Sequence, residues 1–335
     1  MCGIAGFFDK TGRGAPVGAH LLRMLEALGD RGPDSAGVAV FGPPVGAGEL
    51  ILRIKIGEDG EDGAGSKGGA NGEDGESGAL AVSQAVEERL RPFGCVHERR
   101  ARGAYLRLLL ELSGDPDEAL DEALEGLARA VEDAPGQAVE LVSAGRSLEI
   151  VKQVGTPRKL EETYAVSKMS GTHGIGHTRL STESRIDLSH SQPFWAHGTP
   201  DLAIAHNGHI TNYHKLRRLY EERGVHFYTD NDSEVIGLYL RDRMERGDCF
   251  EEALQASMTE LDGSFCYLAA AGEALAFVKD SYSFKPLVVA ETDEWVAVAT
   301  EEIALRRALG DDFSAREPAA RQIQIWKHAA AAILA

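Results

Sequence analysis

Eight short apolar runs, none longer than six residues, set the limits on what this chain can fold into. They are Gly3–Phe8, Gly37–Phe41, Gly174–His177, Leu202–Ala205, Phe265–Ala270, Ala274–Lys279, Leu287–Ala290 and Val296–Ala299. Runs this short are of strand length and too brief for helices. Amphipathic spacing over His20–Leu28, Tyr213–Arg223 and Ser233–Glu245 predicts helices between them. The expected class is α+β, and a four-layer αββα sandwich of two antiparallel sheets covered by helices suits the order. The pattern alone does not separate that fold from other α+β arrangements. No run approaches the roughly 18 apolar residues of a spanning helix, so no membrane is expected. The N-terminus lacks the basic segment and apolar stretch of a secretory signal, which points to a cytoplasmic chain.

Charge is unevenly placed. The 335 residues carry a formal −18, a poor basis for a basic face that binds nucleic acid. Residues 57–78 read GEDGEDGAGSKGGANGEDGESG, nine glycines with seven acids against one lysine. That is −6 on 22 residues with no aromatic or β-branched side chain. Such a stretch cannot bury enough apolar surface to offset its ordering entropy, so a disordered, solvated loop is expected. Its residue types suit calcium, but the DxDxDG spacing with a glutamate at position 12 is absent.

The acidic stretch interrupts a regular region. Glu49–Ile56 reads as a strand, Leu80–Leu90 as helical, and Gly103–Leu112 as a strand or short helix. Asp117–Glu132 is a helix, with Leu120, Leu124, Leu127 and Val131 on one face and Asp115 as an N-cap candidate. Ala138–Val142 and Leu148–Val151 are strand candidates around a Ser143–Ala144–Gly145 turn. The order predicts a small α/β subdomain at 48–137 inserted into a domain spanning 1–310, followed by a tail over 311–335.

Four cysteines, Cys2, Cys95, Cys249 and Cys266, lack CxxC spacing, so no zinc or other metal site and no disulfide framework is expected. Cys249 and Cys266 read as small buried side chains. Cys2 differs. Once Met1 is removed it carries both a thiol, ordinarily near 8.5, and a free α-amine near 7.7–8.0. Nucleophile and base then reside in one residue. The bland alternative is an incidental cysteine at a frayed end.

Other stretches change that weighing. Arg31–Gly37 is RGPDSAG, Gly176–Thr182 is GHTRLST, Ala205–Gly208 is AHNG, and Asn231–Ile236 is NDSEVI. Singly, Arg179 could be a surface ion pair, Asn207–Gly208 a turn, and Asp232 a helix cap. Together, behind an N-terminal cysteine, they resemble the glutaminase domain of class II glutamine amidotransferases, in the N-terminal-nucleophile hydrolase superfamily. The family's CGIxG, RGxDSAG, HTR and HNG are matched at Cys2–Gly6, Arg31–Gly37, His177–Arg179 and His206–Gly208, and its TDTE-like segment at Asn231–Glu234. Leu261–Phe265, Asp280–Leu287 and Thr300–Leu305 resemble its later LDG, RDxxGxKPL and SExxAL segments. The likeness covers about residues 1–42 and 140–305.

The resemblance implies roles. Cys2 would attack the side-chain amide carbon of glutamine, with its own α-amine as base. The Asn207 amide and Gly208 N–H would bind the oxyanion. Arg179 would hold the α-carboxylate, where a planar fork suits two oxygens, and Asp232 the α-ammonium. Thr182 would add a hydroxyl, Arg31 would order the loop around Cys2, and His177 supports the site. One departure is that the family's histidine–proline pair in the next loop stands here as Gln192–Pro193, with His190 nearby.

The sequence shows no sugar-isomerase domain, SGGxDS loop or GxxxxGK[ST] motif to receive the ammonia. The long insertion, SAGRSLEIVKQVG and MSGTHGIGHTR look similar to the standalone glutamine amidotransferase component of glutamate-synthase-like complexes. N-methylglutamate synthase (methylamine–glutamate N-methyltransferase) is one such complex. That likeness implies synthase partner subunits carrying a flavin and an iron–sulfur cluster, with no cofactor in this chain. Two alternatives stay open: a standalone hydrolase of another γ-glutamyl amide, and a non-catalytic glutamine-binding scaffold.

Overall fold

Alternating small and large apolar residues let three antiparallel sheets pack closely in this chain. The computed structural model describes residues 2–57, 73–114, 120–132, 139–181 and 186–328. The largest sheet has seven strands: β1 (Gly3–Asp9), β2 (Ser35–Phe41), β7 (Leu148–Val154), β8 (His173–Arg179), β13 (Val288–Glu291), β14 (Trp295–Ala299) and β15 (Ala315–Arg316). Their order is β15-β13-β14-β1-β8-β2-β7. The second holds β9 (Phe194–Trp195), β10 (Leu202–Ile210), β11 (Gly263–Ala271), β12 (Ala274–Lys279) and β16 (Ile323–Lys327), ordered β16-β12-β11-β10-β9. The third has β3 (Glu49–Lys55), β4 (Gly94–Arg102), β5 (Tyr105–Leu112) and β6 (Glu140–Gly145), ordered β4-β5-β3-β6.

The first two sheets meet through β1 and β8 on one side and β10 and β11 on the other. A Cβ on Gly6 would lie 3.1 Å from Leu268 Cδ1, so glycine there lets the sheets approach. Period-two alternation divides the second sheet's side chains. Ala203, Ala205, Leu268 and Leu275 join the core shared with the first sheet, while Leu202, Ile204, Tyr267 and Ala276 join the core under its own helices.

Helix α1 (Val17–Ala27) buries Leu21, Leu22 and Leu25 against β1 and β8, with α8 (Glu302–Leu309) beside it. On the second sheet, α6 (Asp232–Glu245) packs on β10 and α7 (Phe250–Glu260) on β12 and β16; α5 (Tyr213–Glu221) packs on α6. Helix α4 (Pro157–Tyr164) starts from a Thr156 cap, whose side chain accepts from the Lys159 N–H, and lies near β7. Among the described residues the fold is mixed α/β with antiparallel sheets and eight α-helices.

The third sheet packs Leu52, Ile54, Leu106, Leu108 and Leu110, all fully buried, into the same core as Leu124, Leu127 and Val131 of α3 (Leu120–Glu132). Helix α2 (Glu73–Leu90) lies against α3. On its other face Arg53, Arg107 and Arg100 stand directly opposite one another on three neighbouring strands. Like charges so placed repel. Glu149 of β7 answers Arg53 at 2.5 Å and Arg107 at 3.0 Å, and Glu98 takes Arg107 at 3.1 Å and Arg100 at 2.5 Å. Burial pushes the Glu149 carboxyl up, but Arg53 and Arg107 together hold it below its ordinary value.

Several expectations need correction. The order around the third sheet is β-α-β-β-α-β, because Arg-rich Gly94–Arg102 is an edge strand whose exposed charges hide its period. Ser143–Ala144–Gly145 is strand, the turn falling at Arg146–Ser147. Strand β6 pairs with β3, so this sheet runs past residue 137. The stretch 311–335 is no simple tail: Ala315–Arg316 pairs with β13 and Ile323–Lys327 with β12. Helices α4, α7 and α8 were not anticipated. Cys249 is exposed at the start of α7, whereas Cys266 is buried and its thiol is pushed up to about 12 by that burial. The Asp115 cap and residues 58–72 of the acidic stretch lie outside the described residues, and α2 begins inside that stretch at Glu73.

Asp201 ties the second sheet to the β6–β7 turn. Its carboxylate accepts from Arg146 N (2.8 Å), Ser147 N (2.9 Å), Ser147 Oγ (3.0 Å) and Leu148 N (2.8 Å). Asp201→Ala should lower unfolding stability by about 2–4 kcal/mol, read as a shifted urea midpoint at constant slope. A second expectation concerns β8. Burial pushes its His173 and His177 rings down to about 3, so both are neutral when folded and can take a proton only on unfolding. Their stabilising contribution is complete above pH 6.5 and is lost as pH falls from there towards 3. His173→Gln should flatten the pH dependence of the urea midpoint between pH 6 and 4.5 by about one proton, ~1.4 kcal/mol per pH unit. An unchanged slope would contradict this account.

Candidate functional site

Strand β1 delivers Cys2 to the centre of the largest sheet. Gly3 pairs with Thr178 of β8, and a Cβ at Gly3 would sit 2.8 Å from Thr178 Oγ1. On the opposite edge the Ile4 N–H donates to Thr300 Oγ1 (2.8 Å), and the Thr300 N–H to Ile4 O (3.0 Å). The residue before Gly3 therefore has little freedom. The Cys2 carbonyl accepts from Asn207 Nδ2 at 3.1 Å and Arg31 Nε at 3.4 Å, while its thiol lies 3.7 Å from Leu180 O. Residues 2, 31 and 207, far apart in sequence, are in direct contact.

Arg31 closes a 3₁₀ turn over Gly29–Arg31 and is ion-paired with Glu301. The rest of its motif lies along the end of β8. A Cβ at Gly32 would fall 2.5 Å from Arg179 N. The Asp34 N–H donates to Arg179 O at 3.0 Å, and Asp34 Oδ2 accepts from Ser181 N at 2.7 Å. Arg179 is only 4 % exposed. Burial lowers its hold on its proton, opposed by the charges of Cys2, Asp187 and Asp34. His177, two residues earlier on the same face, is wholly buried, and Arg179 and His206 reinforce the effect of burial on its ring. It is packed into the wall of the site.

Asn207 and Gly208 lie inside β10, opposite Cys266 and Phe265 of β11, which sets aside the alternative of a turn at this pair. Gly208 has φ +145°, and a Cβ there would come within 2.3 Å of Ser264 O. Only glycine fits this close approach without strain. Asn231 rather than Asp232 caps α6, its Oδ1 accepting from Ser233 N at 3.0 Å. That leaves the Asp232 carboxylate to accept from Ile210 N (2.8 Å), with His209 Nδ1 at 3.4 Å and His206 Nδ1 at 3.8 Å. Thr182 lies outside the described residues.

Sequence reasoning missed how Gln192 braces this strand. Its Oε1 accepts from His206 N (2.6 Å) and its Nε2 donates to His206 O (3.2 Å) and Ser233 Oγ (3.0 Å). His206 Nδ1 is 2.8 Å from the same Ser233 hydroxyl. One side-chain amide thus fixes the residues preceding Asn207 and following Asp232. Its place in a loop that departs from the family pattern was the only signal available. Among the described residues no group of three or more His, Cys, Asp or Glu could hold a metal, and no helix is long and apolar enough to cross a membrane.

Residues 177–307 match the family described as glutamine amidotransferase domain. The chain is 33 % identical over 335 residues to the glutamine amidotransferase-like protein GlxB of Rhizobium meliloti, covering 99 % of this chain and 100 % of that protein. A Methanothermobacter thermautotrophicus protein with the glutamine amidotransferase description is 34 % identical over 313 residues, 92 % and 94 % of the two chains. The amidophosphoribosyltransferase of Escherichia coli is 28 % identical over 212 residues, 59 % of this chain and 41 % of that one. In fold, the chain is similar to the Bacillus subtilis glutamine phosphoribosylpyrophosphate amidotransferase, with a TM-score of 0.57 at 17 % identity over 97 % of this chain. It spans about half the length of that enzyme. With two relatives alike over nearly their whole lengths, the chain belongs to the glutamine amidotransferase family.

Proposed function

We propose that this chain hydrolyses glutamine to glutamate and ammonia through a Cys2 thioester, and that it serves a separate synthase. The observation that carries the reading is the contact of the Asn207 amide with the Cys2 carbonyl at 3.1 Å, beside a buried guanidinium. In this mechanism the freed Cys2 α-amine takes the thiol proton, and the sulfur adds to the amide carbon. The Asn207 Nδ2–H and the Gly208 N–H stabilise the oxyanion. The α-amine returns the proton to the leaving nitrogen, ammonia departs, and water then opens the thioester to glutamate. Arg179 pairs with the α-carboxylate and Asp232 with the α-ammonium, with Thr182 supplying a further hydroxyl. That pair of opposite charges selects free glutamine over an amide within a protein, whose α-groups are neutral. Arg31 holds the Cys2 carbonyl, and His177 fills the wall behind Arg179.

The contacts between the two larger sheets, with helices on their outer faces, support reading the domain as a four-layer αββα sandwich interrupted by the inserted α/β unit. Full-length likeness to an amidotransferase-like protein supports a standalone subunit within a larger assembly. The partner in this reading is a glutamate-synthase-like or N-methylglutamate synthase complex in the cytoplasm. Its own subunits carry the flavin and the iron–sulfur cluster, and this chain carries no cofactor.

Purified protein, with its partner where needed, should release glutamate from glutamine. Cys2→Ala should abolish the release. Asn207→Ala should lower kcat by about 10²–10³ with KM little changed. Arg179→Lys should raise KM by about tenfold or more, the loss of one charge-assisted bond. Wild-type turnover by Cys2→Ala would overturn the proposal.

A further inference from the structure

A buried polar cluster joins the inserted sheet to the loop that leads into the site. Lys55, the last residue of β3 and 6 % exposed, places Nζ 2.5 Å from Ser189 Oγ and 3.1 Å from Glu140 Oε2 on β6. The Ser189 hydroxyl donates to the same Glu140 oxygen at 2.5 Å. Lys152 of β7, 2 % exposed, stands next to this group, with its Nζ 4.9 Å over the Phe194 ring. Burial pulls Lys152 down to about 8 and pushes Glu140 up, but the two lysines and Ser189 leave Glu140 below its ordinary value. Buried ion pairs of this kind seldom stabilise more than well-packed apolar side chains would. What they do supply is a defined geometry.

That geometry is passed on. Residues 187–191 form a turn closed on itself. Asp187 Oδ1 accepts from His190 N at 2.8 Å and lies 2.7 Å from His190 Nδ1, and the Ser191 hydroxyl donates to Asp187 O at 2.6 Å. One side of the turn is held by Lys55 and Glu140 through Ser189. Its end runs directly into Gln192, the brace on His206 and Ser233. Asp187 also acts by its charge on Arg179. The backbones of Asn207, Gly208 and Arg179 are held by the β10–β11 and β2–β8 ladders; what the turn adds is the Asp187 charge beside the Arg179 side chain and, through Gln192, the seat of the residue after Asp232.

We propose that Lys55, Glu140 and Ser189 are positioning residues for glutamine: they seat the 187–191 turn on the inserted sheet and thereby set Arg179 and Asp232 for the two α-groups. The proposal rests on the glutaminase reading above. None of the three touches substrate, and their effect falls on binding more than on chemistry.

Ser189→Ala and Lys55→Met remove the joint from either side; the second leaves Lys152 and Glu140 as a charge-balanced pair. With thermal melts confirming a folded protein, each should raise KM for glutamine about tenfold while kcat stays within about threefold. The double variant should be no worse than the poorer single, and Ser189→Thr, which keeps the hydroxyl, should restore KM. Unchanged KM in both singles, or effects that multiply in the double, would overturn the joint. If Lys55→Met does not fold, Ser189→Ala and its Thr rescue decide the matter. Should the wild-type protein turn over no glutamine, the glutaminase reading falls, and backbone hydrogen exchange tests the joint alone. Amides of residues 187–192 should then exchange about tenfold faster in Ser189→Ala, and unchanged exchange would overturn it.

Discussion

The site depends on how firmly β1 is seated. The strand is paired along both edges, with β8 on one side and β14 on the other, and Thr300 bonds Ile4 through both its backbone and its hydroxyl. A chain end is ordinarily the most mobile part of a domain. Here the neighbouring ladders remove that freedom, and Asn207 and Arg31 then need only reach one carbonyl to define where the sulfur lies. The geometry around Cys2 is in this sense a property of the sheet. The small residues at Gly3 and Gly6 matter because they allow Leu28 and Leu268 to close over the strand from its two faces.

Two ionic joints help hold the inserted sheet on this framework. On its outer side Glu149 gathers two facing arginines from β3 and β5. Further along the same strand, Lys55 meets the loop beside the site. These ionic contacts flank an apolar one, since Leu52, Ile54 and Leu106 share a continuous core with Val38 and Ile150 of the largest sheet.

Legibility in the sequence followed the distance over which each signal acts. Strands β1, β2, β8 and β10 stand out because both faces are buried and the apolar runs are uninterrupted. Strand β4 was missed because an arginine-rich edge has solvent, not a core, to satisfy. Ser143–Gly145 looked like a turn by composition, but β3 captures it as a strand. The two-residue β15 has no periodicity to detect. At the site, Cys2 and Asp232 carry local signals, the first from its terminal position and the second from the start of a helix. Ser233 and Ser189 carry none and Gln192 only its departure from the family pattern, since their roles arise when loops distant in sequence meet.

The central place of β1 has a consequence for the order of synthesis. Strand β1 lies between β8, residues 173–179, and β14, residues 295–299, so its second edge waits for a strand made much later. Pairings of such long separation form late. Until then the Cys2 end of β1 is without its final neighbours, open to the processing that the proposed mechanism requires at its amine. In the proposed mechanism, β14 then closes the sheet around a Cys2 whose amine is already free.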